Sequence, residues 1–163
     1  MNSIGIRQAT KHDWDDIWGI IEPVIAKGDT YVFDPNSSKE EMLGYWCNAA
    51  HYTYVTTIDQ KIVGTFIIKD SQPGLGAHVA NASFITATRH AGKGIGTAMG
   101  TFAIEEARRL GYQSMQFNIV VKTNEVAVRL WQKLGFEIIG EVPLAFDHKE
   151  LGLVNAYIMW RKL

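Results

Sequence analysis

Gly92-Lys93-Gly94-Ile95-Gly96-Thr97 closes a β-patterned run and opens a helical one. Before it, His78-Val79-Ala80-Asn81-Ala82-Ser83-Phe84-Ile85-Thr86 reads as a strand. After it, Ile95, Ala98, Met99, Phe102, Ala103 and Leu110 recur at helical spacing, with Glu105, Glu106, Arg108 and Arg109 on the other face, and Gly111 stops the helix. A glycine turn at a helix start presents unpaired amides and the positive end of the helix dipole, a combination suited to phosphate. Without side chains, the backbone can approach the ligand closely.

Two well-known phosphate loops do not match. A dinucleotide fold needs the glycines in its first βαβ unit and an acidic residue about 20 positions later. Here three strands come before the one that leads into the loop, and the next strand offers Asn118. The kinase-type frame of four residues between glycines followed by Gly-Lys-Ser/Thr is missing. The motif alone leaves open a turn that binds nothing.

Outward from this junction, the spacing predicts a strand over Ile4 to Ala9 and a helix opened by Thr10 and Asp13. Its apolar stripe is Trp14, Ile17, Trp18, Ile21 and Val24, and Pro23 is expected to kink or end it near Glu22. A polar loop, Gly28 to Ser38, carries Tyr31, Val32 and Phe33, either facing substrate or covering the core edge. Ser38 and Glu41 open a short helix with Met42, Leu43 and Trp46. A hairpin follows, Tyr52–Thr56 and Ile62–Ile68 around Asp59-Gln60. Past the glycine loop come a strand Ser114–Val121, a helix Asn124–Leu134 closed by Gly135, and strands at about Phe136–Val142 and Leu153–Trp160. The order β-α-α-β-β-β-α-β-α-β-β is that of one α/β sandwich over residues 1–163.

With 163 residues and 47% hydrophobic content, a core needs no metal or disulfide staple. Sixteen Lys and Arg against 17 Asp and Glu give no field that attracts nucleic acid. The lone Cys47 reads as a small buried hydrophobe. The N-terminus lacks signal-peptide regions and no apolar run reaches the ~20 residues of a membrane helix, so no membrane partner and a cytoplasmic location are expected.

The glycine loop with its preceding strand, and the second pattern Asn124-x-x-Ala127-x-x-x-Trp131-x-x-x-Gly135-Phe136, together resemble the GNAT superfamily of N-acetyltransferases, over Ile4 to Leu163. The resemblance implies a mixed, mostly antiparallel seven-stranded sheet with about four helices, splayed between strands 4 and 5. It implies acetyl-CoA as co-substrate, no metal, and a homodimer. Phe84, Ile85 and Thr86 would pair their backbone with pantetheine, and a bulge there would aim an amide at the acetyl carbonyl. The loop Ala91, Gly92, Lys93, Gly94, Ile95, Gly96 and Thr97 would hold the diphosphate. Asn124 would contact the pantetheine arm, with a plain helix cap as its alternative. Ala91 stands where the family usually has Arg or Gln; Arg89 fits only a register shifted by two. Trp131 stands where most members carry a Tyr thought to protonate the thiolate, and indole cannot supply that proton.

Asn81 and Asn118 lie on the strands flanking the splay, where buried amides need partners. Adjacent diverging strands aim both at one cleft. The runs around Asn81, Phe117-Asn118 and Thr123-Asn124 are similar to those of fungal N-acetyltransferases acting on proline analogues such as azetidine-2-carboxylate. That likeness implies that Asn81 and Asn118 bind the substrate's carboxylate and amine, with water rather than a side-chain base removing the proton. Both amides stitching strands is the alternative. His78 and His90 are the other candidate bases. Tyr31 and Phe33 would wall the substrate site, opposite a final hairpin carrying Asp147-His148-Lys149-Glu150. A protein N-terminal or lysine acetyltransferase, and a non-catalytic acyl-CoA-binding regulatory domain, are competing readings of the same fold.

Overall fold

The computed structural model describes residues 3–163. Along the chain lie β1 (Ile4–Gln8), α1 (Trp14–Lys27), α2 (Lys39–Trp46), β2 (Tyr52–Ile58), β3 (Lys61–Asp70) and β4 (Val79–Thr86). Then come α3 (Ile95–Arg109), β5 (Ser114–Val121), α4 (Glu125–Lys133), β6 (Glu137–His148) and β7 (Gly152–Lys162). The seven strands form one sheet ordered β1-β2-β3-β4-β5-β7-β6, and β4 with β5 is its parallel pair. These two share only the registers Val79↔Ser114 and Ala80↔Met115 before they part. The expected splay between the fourth and fifth strands is therefore present, and the sheet is open there like a fork.

Each face of the sheet has its own core. Alternation sends Phe66, Ile68, Ala80, Ala82, Met115 and Phe117 toward α3 and α4. It sends Val55, Ile67 and Ile85 toward α1 and α2, where Ile17, Ile20, Ile21, Ile25, Met42 and Trp46 cover them. α3 and α4 cross closely because Gly96 and Gly100 lack side chains. A Cβ on Gly96 would lie 3.2 Å from Leu130 Cδ2, and one on Gly100 only 2.5 Å from Leu134 Cδ1. This fixes α4, and with it Asn124 and Trp131, against the start of α3.

Local signals set most helix ends. The Asp13 carboxylate accepts from Thr10 N at 2.7 Å and pairs with Arg7, which holds its pKa down at about 2. Ser38 and Glu41 form the reciprocal box that opens α2. Pro23 does not end α1 near Glu22. The helix continues to Lys27 and stops at Gly28, which is left-handed with φ 62° and ψ 34°. Ile20, Ile21 and Ile25 are buried on both sides of the proline, so tertiary packing holds the turn whose hydrogen bond is lost. The final strands run further than the alternation indicates, because register shifts between Ile138 and Gly140 and between Val142 and Phe146 break the pattern without ending the pairing. The tip of this long hairpin docks on the end of α1. Lys149 N donates to Gly28 O at 2.9 Å and Lys149 Nζ to Ala26 O at 3.2 Å. Among the described residues, no helix is long and apolar enough to cross a membrane.

Candidate functional site

The glycine loop has the geometry of an anion cradle. Gly92 and Gly94 take φ of 75° and 79°, a region that disfavours side chains, and a Cβ at either would meet nothing within 4 Å. The first helical hydrogen bond of α3 runs from Ala98 N to Gly94 O at 3.0 Å. Among the described residues, no backbone amide from Gly92 through Thr97 donates a hydrogen bond to the protein. Consecutive free amides at the positive end of a 15-residue helix stabilise a bound diphosphate. The Ile95 side chain is buried in the core, which leaves only its amide to offer to a ligand. Ala91, Lys93 and Gly94 are exposed, and Arg89, His90 and Lys93 add basic groups at the same end of β4. Burial, then Lys93 and Arg89, push the His90 pKa down. His90 thus lies at the glycine-loop end of β4, while His78 is exposed at its start.

The fork supplies the second half of the site. Phe84 faces Phe66 across β3 and β4. Its amide donates at 3.0 Å to the Tyr31 hydroxyl, which in turn donates to the Phe84 carbonyl. Both backbone groups of Phe84 therefore point away from β3, into the gap left by β5. The bulge expected in this segment is absent, because β3 and β4 keep an unbroken register from Gly64↔Thr86 to Asp70↔Ala80. Departure of β5 is enough to free the amide. The Tyr31 hydroxyl caps that amide, and burial raises the phenol's pKa, so the hydroxyl keeps its proton. Phe33 stacks on Tyr31 at 6.0 Å, so both loop aromatics wall the same side of the fork.

Asn81 sits one residue beyond the last β4–β5 register pair. Its Nδ2 donates to Gln116 O at 2.9 Å, so a side chain replaces the next rung of the ladder. Gln116 Nε2 donates to Asn118 Oδ1 at 3.0 Å, and Asn118 is exposed. The structure thus brings Asn81 and Asn118 to one face of the fork, joined through Gln116. Sequence reading missed Gln116; its signal was the two-residue spacing from Asn118, which puts both on one face of β5. On the opposite face Trp131 packs on Phe84 at 4.8 Å and Phe117 at 4.7 Å. Asn124 is the N-cap of α4, its Oδ1 accepting from Ala127 N at 3.3 Å. That cap uses only the acceptor of the amide and leaves its donor for a ligand.

Other candidates fall away from the fork. Cys47 ends α2, and burial followed by Asp13 raises its thiol pKa to about 11, so it stays protonated. An open hollow of about 480 Å³ next to α2 shares Phe33 and Tyr45 with the aromatic wall but contains no residue of β4, β5 or the glycine loop. Among the described residues, no three His, Cys, Asp or Glu side chains converge as metal ligands.

The model of the acetyltransferase (GNAT) family matches residues 14–136. N-acetyltransferase aca1 of Schizosaccharomyces pombe is 37% identical over 105 residues, which are 63% of this chain and 50% of that protein; the chain spans half the length of this relative. The solved structure of a GCN5-related N-acetyltransferase from Kribbella flavida is 38% identical with a TM-score of 0.94, covering 98% of both chains. A GNAT superfamily phosphinothricin acetyltransferase from Sinorhizobium meliloti, solved in complex with acetyl-CoA, shares the fold at 19% identity and a TM-score of 0.87, over 98% of this chain and 88% of its own.

Proposed function

The chain belongs to the acetyltransferase (GNAT) family, and on that premise we propose that it moves an acetyl group from acetyl-CoA to the amine of a small amino-acid-like substrate. A proline analogue such as azetidine-2-carboxylate is the acceptor the strand motifs favour. The observation that carries the reading is the run of free amides from Gly92 to Thr97 at the open end of a fork whose inner edge offers the Phe84 amide. The loop would hold the diphosphate, the backbone of Phe84, Ile85 and Thr86 the pantetheine, and Asn124 Nδ2 its amide.

At the reacting carbon, the Phe84 N–H donates to the acetyl oxygen as negative charge develops there. Asn81 and Asn118 orient the acceptor so that its neutral amine attacks the carbonyl carbon. The C–N bond forms and the C–S bond breaks. Water takes the proton from nitrogen and returns one to sulfur, since Trp131 is no acid and Tyr31 holds its proton tightly. The hairpin tip, held to Gly28 by Lys149, would limit the approach to a small acceptor rather than a peptide. A purified sample with acetyl-CoA and a panel of amines tests this: free thiol is expected with amino and cyclic imino acids, and silence with every amine overturns the reading.

Tyr31 competes with the acetyl carbonyl for one amide. Tyr31→Phe is expected to tighten acetyl-CoA binding about fivefold, roughly 1 kcal/mol, while lowering Tm because the Phe84 backbone groups lose their partner. Calorimetric titration checks the first effect; unchanged or weaker affinity would show that the hydroxyl does not stand in the acyl position.

The chain also pairs as a homodimer in this proposal. Ile139, Leu144, Leu151 and Leu153 are exposed along β6, β7 and their turn, and β6 is an edge strand. Light scattering should give twice the 18.2 kDa chain mass. A monomer at micromolar concentration would refute the pairing.

A further inference from the structure

Lys69 sits directly across from Asn81 in the β3–β4 register, and both side chains lie on the face covered by α1 and α2. There Lys69 Nζ lies 5.4 Å from the centre of the Tyr45 ring. Tyr45 meets His51 edge-on at 5.2 Å and Phe33 at 5.3 Å, and Phe33 stacks on Tyr31. One aromatic row thus leads from the Lys69 ammonium to the hydroxyl seated on the Phe84 amide.

Lys69 is half-buried, and among the described residues no carboxylate pairs with it. The acids nearest in sequence or along the aromatic row are engaged elsewhere. Asp70 accepts from the Tyr112 hydroxyl at 2.6 Å, Asp34 from Asn36 N, and Glu41 from Ser38 N. The other basic group on Tyr45 is His51, whose pKa is lowered by burial first and then by Lys69. A half-buried ammonium without a counter-ion, beside a buried amide, is a seat for an anion.

Resting on the acetyl-transfer reading above, we propose that Lys69 is the specificity residue that binds the carboxylate of the acceptor, with Asn81 as its neutral partner. Asn81 and Phe84 are three residues apart on one strand, about 10 Å. A hydrogen bond of about 3 Å at each end leaves only a few ångströms between the carboxylate and the attacked carbonyl. An α-amino or imino acid has that span, its hydrocarbon part lying against Phe33 and Tyr45. Sequence reading passed over Lys69 because it ends an apolar run, Ile62–Ile68, where a lysine looks like a solvated strand end.

The test compares matched pairs on the whole protein: glycine, proline and azetidine-2-carboxylate against methylamine, pyrrolidine and azetidine. In wild type the acids are expected to exceed their amines in kcat/KM by at least about tenfold. Lys69→Met should raise KM for the acids by about the same factor, leave the amines and acetyl-CoA affinity unmoved, and be partly rescued by Lys69→Arg. Equal losses on acids and amines, or no loss, overturn the carboxylate seat while leaving acetyl transfer standing. Thiol release from none of the six overturns acetyl transfer instead. A second readout does not need turnover. With lysines reductively ¹³C-methylated and CoA saturating, the signal missing from Lys69→Met should shift with proline and stay still with pyrrolidine. A signal that ignores proline refutes the seat.

Discussion

Gly94→Glu is expected to abolish acetyl-CoA binding, with a loss of at least about 100-fold in affinity, near 2.7 kcal/mol. Gly94 is the N-cap of α3 with φ 79°, and a Cβ there points into open space rather than into the protein. That space is the proposed cradle, so the new carboxylate would stand among the free amides of Gly92 to Thr97 and repel a diphosphate. Gly94→Ala separates the causes. It keeps the left-handed strain of roughly 1–2 kcal/mol but adds no charge, and should weaken binding far less. Isothermal titration of both variants, with circular dichroism to show that each is folded, decides it. Near-normal affinity in Gly94→Glu would mean that the diphosphate lies elsewhere and that the loop is a turn binding nothing.

What the sequence made legible follows from what is local. The change of period at Gly92, the Ser38–Glu41 box and the frame from Asn124 to Phe136 each depend on neighbours within a turn or two, and each lies where its pattern puts it. The fork was legible only through resemblance, since nothing in the runs Val79–Thr86 and Ser114–Val121 says where their pairing stops. Pro23 misled because packing by Ile20, Ile21 and Ile25 outweighs one missing helix bond. The contact between Tyr31 and Phe84 joins residues 53 positions apart, and that of Lys69 with Tyr45 joins a strand end to a helix. No periodicity reports such contacts. They depend on how the loop after Gly28 is laid over the sheet, which the docked Lys149 helps to fix. The backbone parts of the site were therefore readable as motifs, whereas the side chains that choose the acceptor became visible only after folding.

Asn81→Ala is expected to lower kcat by about 10- to 100-fold while acetyl-CoA affinity stays within about twofold. The side chain is 8% exposed and its amide holds Gln116 O, so removing it leaves a carbonyl at the base of the fork without its partner. A stability loss of roughly 1–3 kcal/mol accompanies the kinetic one. The two effects separate because a purely structural stitch would let β4 and β5 drift, disturbing the Phe84 amide and pantetheine as much as the acceptor. A positioning role damages turnover alone. Gln116→Ala is the control: the backbone carbonyl that Asn81 uses remains, and only the bond to Asn118 is lost. It should therefore behave like Asn118→Ala, with a smaller fall felt mainly in KM for the acceptor, since Asn118 is exposed and freer to be replaced by water. Steady-state kinetics below the melting range of each variant gives the ordering. Unchanged turnover in both Asn81→Ala and Asn118→Ala would reduce the pair to strand stitching and leave the acceptor to the aromatic wall of Tyr31 and Phe33 on the same face.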